Sequence, residues 1–142
     1  MWPRNFEQRL KSWNQLRILC HNLPWPNAFA AINSWWFASP WISYSLHWDD
    51  RANWPDPWQL LEENRLCSLA RGLGIIYTVA MIERVDTPPA TLVETDLDNL
   101  VLIPGEKYIL NWCSDSIVNI NPGNIKNPRH QLTLVEAQQQ IR

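Results

Sequence analysis

The residues able to do chemistry are few and scattered. Three cysteines (Cys20, Cys67, Cys113) and three histidines (His21, His47, His130) stand in a chain of 142 residues. Cysteine-nucleophile chemistry needs a thiolate at a helix N-terminus or beside a histidine, so that its pKa falls. Cys67 falls near the middle of a predicted helix, on or near its apolar face, where a small buried hydrophobe is the plainer role. Cys113 lies at a predicted hairpin turn with no histidine close to it in sequence. Cys20 and His21 end a first helix, where His21 offsets the helix dipole. The cysteines are odd in number, widely spaced and form no C-x-x-C, which argues against a disulfide scaffold or zinc ribbon and for a reducing compartment. The histidines have no H-x-x-x-H or mixed Cys/His spacing, so no metal site is expected. Asp49-Asp50 reads as a solvated turn, and Glu62, Glu63 and Glu83 make no acid/base pair. The stretch Arg71-Gly72-Leu73-Gly74-Ile75 precedes a predicted strand instead of following one, so it is no dinucleotide motif. The sequence therefore predicts no catalytic residue, no cofactor and no metal.

The elements that would position these groups are easier to read. Asp56 is a predicted N-cap, Pro57 suits the first helical position, and Gln59 completes a capping box. Leu66, Leu69, Ala70 and Leu73 follow at helical spacing, and Gly72 and Gly74 offer a helix stop. The uncharged, β-branched run Ile75 to Ile82 reads as a buried strand. This predicts one central helix, about 57–73, leading into a core strand, in an α+β fold. Upstream, Asn5 and Gln8 suggest a capped helix to about Asn22. Leu23-Pro24-Trp25-Pro26 breaks it. Asn27 would cap a second helix, Ala28 to about Ala38, with Phe29, Ile32, Trp35 and Trp36 on its apolar side. Trp41 to Trp48 reads as an extended lead-in. Downstream, Thr91 to Asn99 reads as a loop or short edge strand, Leu100 to Ile103 as a strand, and Pro104-Gly105-Glu106 as a turn. Tyr108 to Trp112 and Ile117 to Ile120 read as the strands of a hairpin joined across Cys113–Ser116, with Asn121-Pro122-Gly123-Asn124 expected to end it. A short helix is expected near the C-terminus. The strands together predict a small, mostly antiparallel sheet. The expected organisation is a single domain: a Trp-rich helical region over residues 1–53, an α+β core over 54–128 and a C-terminal tail over 129–142.

Composition bounds the partners. Twelve basic residues against fourteen acidic ones leave no basic stripe, so no nucleic acid is expected. No formally charged residue occurs from Ile18 to Trp48, yet its asparagines, serines and prolines interrupt any run of ~20 apolar residues, so no membrane span is expected. The start, MWPRNFEQRL, has no apolar h-region, which predicts no secretory signal. Ten tryptophans exceed what one small core needs, and eleven prolines against four glycines suggest rigid corners. Indoles beyond the core's requirement point to interface anchors, for which Trp25, Trp35, Trp36, Trp41 and Trp48 are the candidates.

The stretch LCSLARGLGIIYTVAMI resembles the helix-to-strand passage of the transglutaminase-like (papain-like thiol hydrolase) superfamily. YILNWCSDSIVNINPGN resembles that family's later strand pair. The resemblance implies a nucleophilic Cys near Trp58 or Gln59, a His at Leu110 and an Asp at Asn121, and none of these matches. It thus implies a hydrolase-like core without its triad. The overall style resembles tailed-bacteriophage virion proteins, which implies a place in the virion (neck, tail or baseplate), or in the host cytoplasm during assembly. The expected function is that of a non-enzymatic structural or assembly protein, acting with other protein subunits as an oligomer or hetero-assembly. The alternatives are a cysteine hydrolase with a rearranged site, using Cys67 or Cys113 with His47 or His130, and a small ligand-binding module lined by aromatic rings.

Overall fold

The computed structural model describes residues 2–95, 98–103, 108–113, 116–117 and 128–141. It is an α+β fold in which helices and a four-stranded antiparallel sheet surround one buried helix. Helix α1 (Phe6–His21) starts where Asn5 Oδ1 accepts the Gln8 amide at 2.9 Å. Helix α2 (Trp25–Phe37) begins before the expected Asn27, because Pro26 fits the first turn, where no intrahelical N–H bond is lost. A 3-10 turn (Trp48–Asn53) then leads to the short α3 (Pro57–Glu62). Its predicted capping box is fully formed: the Gln59 amide donates to Asp56 Oδ1, and the Asp56 amide to Gln59 Oε1, both at 2.8 Å.

The predicted helix over 57–73 and strand over 75–82 are both corrected. The chain leaves the helix at Glu63, runs extended, and starts a new helix, α4 (Ser68–Met81), which absorbs the whole of the expected strand except Ile82, its C-cap. Two contacts enforce the break. The Arg9 guanidinium from α1 takes the carbonyls of Leu61 and Glu63 (3.1 and 3.0 Å) and Asn64 Oδ1 (3.1 Å), and Leu66 pairs with Pro40 and Ile42 through its backbone. Neither Gly72 nor Gly74 stops a helix, and neither has a positive φ. They are contact points on opposite sides of α4: a Cβ on Gly74 would lie 2.5 Å from the Trp36 ring, and one on Gly72 would lie 2.6 Å from Leu92 Cδ1. Every residue from Leu69 to Val79 is buried, so α4 lacks the polar stripe by which an amphipathic helix is recognised.

The sheet has the order β3-β2-β1-β4, with β1 (Thr91–Glu94), β2 (Asn99–Ile103), β3 (Tyr108–Leu110) and β4 (Gln131–Thr133). Strand β1 is therefore interior, not an edge: Leu92 faces Val101 on one side and Leu132 on the other. Leu92, Val101, Ile103, Leu110 and Leu132 join the main core beneath α4, while Val93, Leu100 and Ile109 make a smaller apolar cluster. Residues 129–142, set apart from sequence as a tail, supply β4 and helix α5 (Leu134–Gln140), which packs on α4. Of the expected second hairpin strand, residues 118–120 lie outside the described residues, as do the turns at 104–106 and 121–124. Cys113 and Ser116 pair in an antiparallel bridge.

Candidate functional site

Eight of the ten tryptophans are buried or half-buried, and only Trp41 and Trp112 are exposed. This corrects the expected interface set. Trp25, Trp36 and Trp48 are covered by the chain's own core, and Trp35 is half-buried beside Trp2 and Trp36, with its indole N–H on Ser12 Oγ at 2.9 Å. Four of the buried rings, Trp13, Trp36, Trp48 and Trp54, are fixed by an indole hydrogen bond as well as by area. Thr78 Oγ1 accepts from both Trp13 Nε1 and Trp36 Nε1 at 2.9 Å and donates to the Gly74 carbonyl at 2.7 Å. Trp48 donates to Asn99 Oδ1 at 2.7 Å. Of the five candidates, Trp41 alone offers its ring to solvent, at 61% exposure.

Trp41 belongs to a strap, residues 41–47, held against the chain by a parallel bridge between Trp41 and Leu66. Tyr44, on the same strap, is 66% exposed and sits edge-on to His47, whose Nδ1 lies 2.9 Å from the Tyr44 hydroxyl. Beneath the strap is a groove of about 370 Å³. Ile42, Leu46, Pro55 and Leu60 give it apolar walls, and Glu62, Glu63 and Arg65 stand at its exposed side.

Cys67 lies at the inner side of this strap and is the N-cap of α4, with Ala70 N donating to Sγ at 3.5 Å. Burial pushes its thiol pKa up. The Ser45 hydroxyl and the backbone N–H groups of Ala70, Ser45 and Leu46 outweigh that, so the thiol titrates below its ordinary range. Sequence reading placed Cys67 in mid-helix and missed this position, because it carried one helix through the break at 63–67. Cys20 is the opposite case: burial raises its thiol pKa to about 11, against the influence of Arg84.

No histidine among the described hydrogen bonds serves Cys67. His47 is taken by Tyr44. His130 stacks on Trp48 with its Nδ1 2.9 Å from Glu94 Oε1 and its Nε2 3.6 Å from Asp49 Oδ1. Cys113 sits at the far end of β3, where its carbonyl accepts from Asn33 Nδ2 at 2.6 Å. That contact belongs to a polar network which sequence reading missed. Asn111, buried with φ 68°, donates to the carbonyls of Ser68 and Asn99, and its amide donates to Asn33 Oδ1. The only available signal was that asparagine tolerates a left-handed backbone. No group of three His, Cys, Asp or Glu among the described residues is placed to hold a metal ion, and no helix is long and apolar enough to cross a membrane.

Comparison of the chain with protein-family models, curated proteins and solved structures finds no match. Of the two stretches that carry the transglutaminase-like resemblance, the expected helix-to-strand passage at 66–82 holds helix α4 and no strand.

Proposed function

We propose that this chain is a non-enzymatic assembly protein that works through protein–protein contacts. The observation that carries this reading is the strap, which turns Trp41 and Tyr44 outward in a chain that shields eight of its ten tryptophans. Large aromatic rings cost free energy when left in water, and they are the residue types that anchor interfaces. The overall style of the sequence resembles that of tailed-phage virion proteins, and such a virion is the assembly this reading proposes. The test is a photo-crosslinking residue placed at Trp41 and, as a control, at the exposed Gln15 of α1, in cells that produce the protein. Adducts of discrete higher mass at position 41 alone are expected. Their absence, or equal adducts at both positions, removes the reading.

A second reading, a cysteine hydrolase, is favoured by one observation: Cys67 caps α4 and its thiol pKa is held down. Among the described residues, no histidine is placed to take the Cys67 proton. Alkylation by iodoacetamide at neutral pH, mapped by mass spectrometry, separates the two. The assembly reading expects slow modification at Cys67, which is only 2% exposed. Rapid modification confined to Cys67, lost in Cys67→Ser, would favour the hydrolase.

A further inference from the structure

The strap and its groove form a face that carries both halves of a contact. Trp41 and Tyr44 project from the strap, while Ile42, Ser45 and Leu46, interleaved with them in sequence, line the groove beside it. At about 370 Å³ the groove is in the volume range of ligand pockets, ~300–1,000 Å³, and its lining mixes apolar side chains with polar and charged ones. A face with projecting rings next to a receptive groove is self-complementary, as a two-fold interface requires: what one copy presents, the other receives, and the reverse.

The charges at the groove's margin fit the same operator. Glu62, Glu63 and Arg65 are exposed, and none forms an ion pair among the described residues. The stretch Glu62-Glu63-Asn64-Arg65, laid antiparallel to a copy of itself, sets Glu62 of each chain opposite Arg65 of the other. Asn64 is already engaged by Arg9, which fixes this stretch before any partner arrives. The nearly balanced net charge of −2 adds little repulsion between copies.

We propose that a second copy of this chain docks on this face across a two-fold axis, with Trp41 of each copy seated in the groove of the other and Glu62 of each facing Arg65 of its partner. This inference rests on the assembly reading and names its partner. It is tested by sedimentation equilibrium of the purified full chain over a wide concentration range. The wild type reaches twice the chain mass. Trp41→Ser with Tyr44→Ser remains monomeric at every concentration, with an unchanged circular dichroism spectrum, because both residues are exposed. Arg65→Glu and Glu62→Arg each weaken the dimer about tenfold, and the two changes combined in one chain restore it, since the facing charges are exchanged together. A wild type that stays monomeric, a dimer that survives loss of both rings, or a charge-reversed double variant no better than the singles overturns the proposal. The crosslinking experiment distinguishes the failures. A monomeric wild type that still gives adducts of other mass at position 41 sinks the second copy and keeps the assembly reading, and a monomer without adducts removes both.

Discussion

Thr78 holds more of this molecule together than its size suggests. Its hydroxyl accepts two indole N–H groups from different helices, Trp13 of α1 and Trp36 of α2, and back-bonds to the Gly74 carbonyl of its own helix. Both rings are fully buried, so no water replaces that oxygen. Thr78→Val keeps the shape and removes the acceptor, orphaning two buried donors. At about 1–3 kcal/mol for each, the expected loss is about 2–6 kcal/mol, read as a lower midpoint in urea unfolding followed by tryptophan fluorescence. A change under about 0.5 kcal/mol would mean that the rings are held by packing alone. Residue-scale features were legible where the signal was local. The Asp56–Gln59 box and the Asn5 cap could be read directly, because both partners lie within one turn. Thr78 could not, since its partners lie 65 and 42 residues away.

At the scale of elements, the sequence misled where burial was complete. An apolar run can be told as helix or strand only when one face is polar, and from Leu69 to Val79 no face is. The two glycines compounded the error, because a glycine that admits a neighbouring ring looks in sequence like one that ends a helix. The break between α3 and α4 was also unreadable, since its agent, Arg9, comes from α1. Arg9 bonds to the carbonyls of Pro3, Arg4, Leu61 and Glu63 and to Asn64 Oδ1, ending α3 with a cation where carbonyls lack partners. Arg9→Met keeps the apolar stem and removes every donor. It is expected to cost about 2–4 kcal/mol and to loosen α3 and the segment that follows it. Hydrogen exchange checks this: the Leu60, Glu63 and Leu66 amides should exchange faster, while amides in the sheet, distant from Arg9, change far less. Equal acceleration in the sheet would make Arg9 a contributor to global stability and not a local clasp.

For the whole molecule, the α+β class was expected from a helix-to-strand passage at 57–82 that is helical in the structure, while the antiparallel sheet followed from the short apolar runs and turn residues after residue 90. The expected centre was a helix feeding a strand. The actual centre is a helix enclosed by α2, α3, α5 and the sheet, and its N-terminus bears Cys67 under the strap. The candidate site was half legible. Tryptophan excess directed the expected interface to residues 25–48, yet which indole stays outside depends on three-dimensional packing, and four of the five candidates were claimed largely or wholly by the chain itself.

The interior position of β1 has a consequence in time. Its partner β2 follows after a short turn, so that pairing closes a small loop and can form early. Its other partner, β4, lies far along the chain, and closing that longer loop costs more entropy. A folding intermediate with β1 and β2 joined and β4 still absent would carry an open edge along Thr91, Leu92 and Val93, free of charge. That edge is a template for any extended chain. The order in which the strands arrive therefore sets how long that edge stays open to newly made copies of this protein.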